Sequence, residues 1–271
     1  MQLKLASVVL LVAISGCAHA PPAQHRANYP GAVAAVAPYW NYPEGDSWGR
    51  ECNAPTLPQQ SPIDLTEVET KPWNDSYVVA QSTLDAHERN VVFMPTPGPS
   101  MAFNPVVGDE SEQRVYTVAG FHFHNRAEHR IAGNPLIEMH IKTTDSSGGT
   151  AVFAVLWTDG ATASDPTLEA AVLALSTQRG EPKAVDVGRL LQKFAQEPFY
   201  SYVGSLTTPP CTGKIRWFVL KDPIRTNASI INNGLIAGLV GKGVSRENFR
   251  PLKPVLSSTT VHLVTPKNPR P

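Results

Sequence analysis

The chain of 271 residues predicts a mainly β single domain, built on a large central twisted mixed sheet with short peripheral helices. Three observations lead there. From Trp40 onward, short apolar runs rich in Val, Ile, Phe and Trp alternate with Gly, Pro and Asn turns. Only two segments carry a helical period, and both fit packing elements at the edge of a sheet. No internal repeat divides the sequence, whose length can bury one large core.

Taken in order, the strands include Val91 to Met94, Gln113 to Val118, Leu136 to Ile141, Ala151 to Trp157 and Arg216 to Leu220. The first helix opens on Asp165 as its cap with Pro166 in the first turn. It places Leu168, Ala171, Val172 and Leu175 at helical spacing up to Gly180. The second runs from Asp186 to Ala195 with Val187, Leu190, Leu191 and Phe194 as its apolar stripe. Strands occupied on both faces belong in the centre of the sheet.

The first 37 residues read differently from the rest. Lys4 followed by the apolar run Leu5 to Ile14 is too short to span a bilayer and suits the core of a secretory signal. Residues 1–16 are therefore expected to be a signal peptide of the lipoprotein type. Ile14-Ser15-Gly16-Cys17 resembles a bacterial lipobox with Cys17 as the lipidated residue, although Ile14 stands where that pattern prefers Leu. Ordinary cleavage near Ala18-His19-Ala20 is the alternative. Residues 17–37, rich in Ala and Pro, are expected to form a flexible tether, and 38–271 the folded domain. The expected location is the periplasm or the outer-membrane surface of a bacterial envelope. With Cys17 set aside, Cys52 and Cys211 are an even pair in an exported protein and read as one disulfide, two buried free thiols being the alternative. Lys plus Arg and Asp plus Glu are balanced at 23 each, so no basic footprint points to nucleic acid, and the partners are small molecules.

Chemistry concentrates in Phe121-His122-Phe123-His124-Asn125-Arg126-Ala127-Glu128-His129 and in Ile137-Glu138-Met139-His140-Ile141. Along an extended strand His122 and His124 share one face while Phe121 and Phe123 point into packing on the other. The turn Ala132-Gly133-Asn134-Pro135 lets a second strand return beside the first and bring His140 alongside. Three neutral imidazoles suit Zn²⁺, and three protein ligands leave the fourth tetrahedral position open, the pattern of a catalytic zinc. Glu138, two residues before His140 on the same strand face, can accept the other ring N–H of a ligating imidazole and orient it.

With these residues in place, the chain from Trp40 to Pro254 resembles the α-class carbonic anhydrases of the exported bacterial type. The strings that carry the resemblance are Gln60-Ser61-Pro62-Ile63-Asp64, Phe121 to His129, Glu138-Met139-His140, Gly204 to Cys211 and Asn248-Phe249-Arg250-Pro251. The resemblance implies zinc held by His122 and His124 through Nε2 and by His140 through Nδ1. It implies reversible hydration of carbon dioxide to bicarbonate and a proton. Thr207 is expected to accept the hydrogen bond of the attacking hydroxide and hand its own to Glu128, with Val152, Leu206, Trp217 and Thr208 around the substrate. Cis peptide bonds are implied at Ser61-Pro62 and Pro209-Pro210, and Tyr42 near the cavity water. A Cys52–Cys211 bridge would brace the Thr207 loop.

Three positions depart from the family pattern. Met101 precedes Ala102-Phe103-Asn104, where efficient members carry a proton-shuttling histidine, and a thioether carries no proton at neutral pH. Proton transfer is therefore expected to limit turnover. Gly120 replaces a glutamine that supports the first ligand. Lys142, two residues after His140, faces the metal side where the family has a small apolar wall residue, and either approaches the ion or reaches for the cavity mouth. His129, His87 and His262 are read as structural or surface residues. Competing readings are a catalytically weak relative that binds zinc or a partner surface, and a zinc esterase.

Overall fold

The computed structural model describes residues 42, 48–54, 57–73, 77–78, 83–87, 92–95, 100–103, 114–145, 147–176 and 184–265. The expected signal peptide, Cys17 and the tether lie outside the described residues. Among those described, 13 strands join one sheet. Its centre is β10 (Phe199–Ser205), β11 (Gly213–Leu220), β8 (Thr150–Thr158), β7 (Ile137–Asp145) and β6 (Arg114–His124), in that order across the sheet. Flanking strands include β1 (Thr70–Trp73), β4 (Val92–Pro95), β5 (Ser100–Phe103) and β13 (Val261–Val264). The sheet is mixed: β6–β7, β7–β8 and β10–β11 are antiparallel, while β8–β11 and β1–β13 are parallel. No helix among the described residues is long and apolar enough to cross a membrane.

Alternation along the central strands separates two cores. Ile137, Met139 and Ile141 of β7 and Phe153, Val155 and Trp157 of β8 pack on one face. Helix α2 (Pro166–Ser176) covers that face with Leu168, Ala171 and Leu175, and α3 (Gly188–Lys193) covers it with Leu190 and Leu191. Val152, Ala154 and Leu156 of β8 point the opposite way and pack with Trp217, Tyr202, Ile63 and Leu65. Strand β8 is thus occupied by hydrocarbon on both faces, whereas the second face of β6 and β7 carries the buried polar residues His124, Glu138 and His140. A π-helical turn, Ile230–Ile236, adds Ile231 and Leu235 to the first core.

One irregularity sets the site. In the β6–β7 ladder Val118 pairs with Thr143 but Gly120 pairs with Lys142, so Ala119 is an extra residue in β6. This bulge reverses the parity of the strand. Before it Tyr116 and Val118 face the first core, and after it Phe121 and Phe123 do. Without the bulge, His122 and His124 would be aimed into hydrocarbon.

Both helices form, with one shift. Asp165 caps α2, its Oδ1 accepting Thr167 N at 2.9 Å and Leu168 N at 3.3 Å. The second helix was expected from Asp186, but Asp186 ends strand β9 (Ala184–Asp186) and its Oδ1 accepts Gly188 N at 2.8 Å, so the helix begins two residues later. Cys52 and Cys211 are bridged, closing a sequence separation of 159. Both expected cis peptide bonds, Ser61-Pro62 and Pro209-Pro210, are present.

Candidate metal centre

His122 and His140 are direct ladder partners on β6 and β7, and His124 pairs with Glu138. Register therefore delivers all three imidazoles to one patch. His122 Nε2 lies 3.1 Å from His124 Nε2, and His124 Nε2 lies 3.1 Å from His140 Nδ1. Nitrogens around a tetrahedral zinc at ordinary bond lengths sit about 3.3 Å apart, so the spacing fits one small divalent ion. His124 and His140 are buried and His122 is partly exposed, so access to the patch is from the His122 side.

Hydrogen bonds fix which nitrogen of each buried ring is a lone-pair donor. His124 Nδ1 donates to Asn248 O at 2.5 Å, leaving Nε2 bare. His140 Nε2 donates to Glu138 Oε1 at 2.7 Å, leaving Nδ1 bare. Burial drives all three rings toward neutrality: His122 is pushed down to about 3, with the neighbouring His140 adding to the effect. His124 is held well below its ordinary value by the same causes, and burial lowers His140 too. Neutral rings with inward lone pairs are the form a metal ion requires.

Glu138 is the hub beneath them. Its Oε1 accepts from His140 Nε2 and, at 2.6 Å, from His129 Nδ1, while Oε2 accepts the backbone N–H groups of Glu128 and His129, both at 2.7 Å. Burial would raise its pKa, but His129 and His140 hold it well below the carboxylate range. The chain of contacts continues from His129 Nε2 to Tyr202 Oη at 2.7 Å and from Tyr202 Oη to Ser61 Oγ at 2.8 Å, and Ser61 Oγ accepts Ser205 N at 3.2 Å. His129, read from sequence as structural or surface, is buried and structural. A Cβ on Gly204 would collide with Ser61 Oγ, so this close approach needs glycine.

Glu128 behaves oppositely. Burial and then the charge of Glu138 raise its pKa well above the ordinary value, against the hydrogen bond from Arg250 N at 2.7 Å to Oε1. Oε2 is buried 3.3 Å from His124 Nε2 and 3.8 Å from His140 Nδ1. A hydrogen bond from the Thr207 hydroxyl acts the other way and lowers the acid's pKa, and Oε2 has no hydrogen-bond partner. A buried carboxylate oxygen with spare acceptor capacity beside two bare ring nitrogens is where positive charge or a donor belongs.

Around this centre, Val152 and Trp217 are buried in one cluster with Leu206 packed against it. The Trp217 ring lies 4.8 Å from the His140 ring, its Nε1 donating to Ser205 O at 2.9 Å. Thr208 is partly buried in the loop after Thr207 and accepts Cys211 N at 2.8 Å through its carbonyl. Tyr42 is edge-on to His124 at 6.3 Å. Met101 pairs with Tyr116 in the β5–β6 ladder, and Asn104 lies outside the described residues. Lys142 is half-buried on the metal-facing side, and its charge further opposes protonation of His122. The supports read from sequence only as family strings are Asn248 and Arg250. Asn248 Oδ1 accepts Asn125 N at 2.6 Å, and the buried Arg250 guanidinium donates to Cys52 O, Ser61 O and Gln60 Oε1. A guanidinium or amide with no periodic apolar neighbour gives no local pattern, so their partners could not be named from sequence.

A large mixed sheet carrying three converging imidazoles on adjacent antiparallel strands, over a buried carboxylate hub, defines a class of sheet proteins whose site could hold a metal ion. The chain belongs to the eukaryotic-type carbonic anhydrase family, the α class, whose model matches residues 43–261. It is similar to a carbonic anhydrase of Nostoc sp., 29% identical over 234 residues that cover 82% of this chain and 84% of the relative. A carbonic anhydrase of Neisseria gonorrhoeae is also 29% identical over 234 residues, covering 80% and 85% of the two chains. Among solved structures, a Chlamydomonas reinhardtii carbonic anhydrase in complex with acetazolamide superposes with a TM-score of 0.60 at 21% identity. It covers 88% of this chain and 99% of its own, and shows the shared fold.

Proposed function

We propose that this carbonic anhydrase hydrates carbon dioxide reversibly to bicarbonate and a proton with a zinc ion held by His122 Nε2, His124 Nε2 and His140 Nδ1. The observation that carries the reading is the convergence of those three nitrogens, 3.1 Å apart in each measured pair, with the two buried tautomers fixed by Asn248 O and Glu138. Zinc held by these residues would lower the pKa of a bound water to about 7 and so would supply a hydroxide nucleophile at neutral pH. The rest is done by the chain. Glu128, anchored by Arg250 N, takes the Thr207 proton in a hydrogen bond, so that the Thr207 oxygen faces the attacking oxygen as an acceptor and fixes its lone pair toward carbon. Val152, Leu206 and Trp217, with Thr208 at the edge, offer an apolar wall that holds the linear, uncharged substrate beside the nucleophile.

Met101 in place of a histidine leaves the outgoing proton without a shuttle, so exchange with buffer limits turnover. Lipidation at Cys17 would place the enzyme on the bacterial envelope, where the Cys52–Cys211 bridge is compatible with an oxidising compartment.

Stopped-flow hydration assays test the reading. Zinc-replete protein catalyses, chelation abolishes the rate, re-addition of zinc restores it, acetazolamide inhibits, and the rate climbs with the concentration of an imidazole-type buffer. A zinc-replete protein no faster than the chelated one overturns the reading, and a rate indifferent to buffer overturns the assignment of the slow step.

A further inference from the structure

One charged side chain on the metal face has no part in the reaction as derived. Lys142 follows His140 by two residues and so shares its face of β7. Its ladder partner on β6 is Gly120, and its partner on β8 is Val152. Gly120 has no side chain, so no side chain of its ladder partner stands against Lys142. The bulge at Ala119 is what sets Gly120, rather than a larger residue, against it. Lys142 is half-buried, and His122, on the neighbouring strand, is the ring of the three that solvent reaches. Lys142 is therefore a half-buried cation on the strand face that carries His122 and His140.

We propose that Lys142 is the cationic half of an anion subsite at the metal centre, holding a small monoanionic oxyanion, the bicarbonate product first, between its side chain and the metal position. The inference rests on the zinc reading above. An ammonium beside a divalent ion is repelled by it, and an anion seated between the two relieves that repulsion while gaining attraction from both. An apolar residue at this position offers the anion the metal alone. The consequence is tighter retention of bicarbonate and of any small monoanion, with a dependence on ionic strength because the wall is open to solvent.

Cobalt(II)-loaded protein reports anion binding through its visible spectrum without turnover. Thiocyanate and bicarbonate are titrated into wild type, Lys142→Met, Lys142→Gln and Lys142→Arg, each checked for one bound metal per chain. The two uncharged variants are expected to bind both anions about tenfold more weakly, and Lys142→Arg to stay close to wild type. Uncharged variants that bind both anions within about twofold of wild type overturn the inference alone, since the charge would then contribute almost nothing. Wild-type protein that takes up no cobalt overturns the metal reading and the inference with it.

Discussion

Glu138 faces four donors with two oxygens, and that arithmetic is what makes it irreplaceable by its amide. An amide in its place accepts at one atom only and turns an N–H₂ toward groups that also donate. Glu138→Gln is therefore expected to weaken zinc binding by about 10 to 100-fold, as loss of a ligand's orienting partner does, measured by competition with a chromophoric chelator. Unchanged affinity would show that His140 needs no acceptor to keep Nδ1 bare. His122, His124, His140 and Glu138 were readable from sequence because strand parity alone puts them on one face. His129 was not. It follows Glu128 in a turn with no periodicity, and its two partners, Glu138 and Tyr202, are respectively 9 and 73 residues away in sequence.

Elements carry the parity and the bracing that single residues cannot. The extra residue Ala119 lets a strand begin with Tyr116 and Val118 inward and finish with Phe121 and Phe123 inward, which no simple alternation rule anticipates. Sequence alone predicts a strand over Gln113 to Val118 and an extended run through His124, which the bulge joins as the single strand β6. A second register shift, between Gly204 and Ser205 of β10, falls where the chain turns into Leu206 and Thr207. Strand β10 escaped sequence reading because its buried positions include Ser201, Tyr202 and Ser205, polar residues that hide its alternation. The loop that follows is held at one end by Leu206 N donating to Thr212 O at 2.9 Å and at the other by Cys211 bonded to Cys52. Cys52→Ser together with Cys211→Ser is expected to cost about 3 to 5 kcal/mol of stability in chemical denaturation, since the bridge closes a long loop of the unfolded chain. Hydration should fall with it, through looser placement of Thr207. Stability and rate both unaltered would show that the loop is held without the bridge.

Across the whole molecule, the three converging imidazoles span residues 122 to 140, while their supports come from Ser61, Tyr202, Asn248 and Arg250. Arg250 alone ties Cys52, Gln60 and Ser61 to the Leu206 carbonyl, and burial lowers its pKa only to about 10, so it remains a cation at neutral pH. The β-dominated class and the peripheral helices were legible because period and turn chemistry are local. The sheet order was not, because the parallel pairing of β8 with β11 joins segments more than sixty residues apart. A site assembled from such distant segments exists only in the folded chain, so an ion bound by the three imidazoles would stabilise the fold that holds it.

X-ray absorption at the zinc edge of the purified, zinc-loaded protein addresses that assembly most directly. Three imidazole nitrogens and one light oxygen-type ligand at about 2.0 to 2.1 Å are the expected shell, collapsing to a weakly bound, water-rich shell in His140→Ala. Sulfur in the shell, fewer than three imidazoles, or a spectrum indifferent to His140 would contradict a single ion bound by His122, His124 and His140.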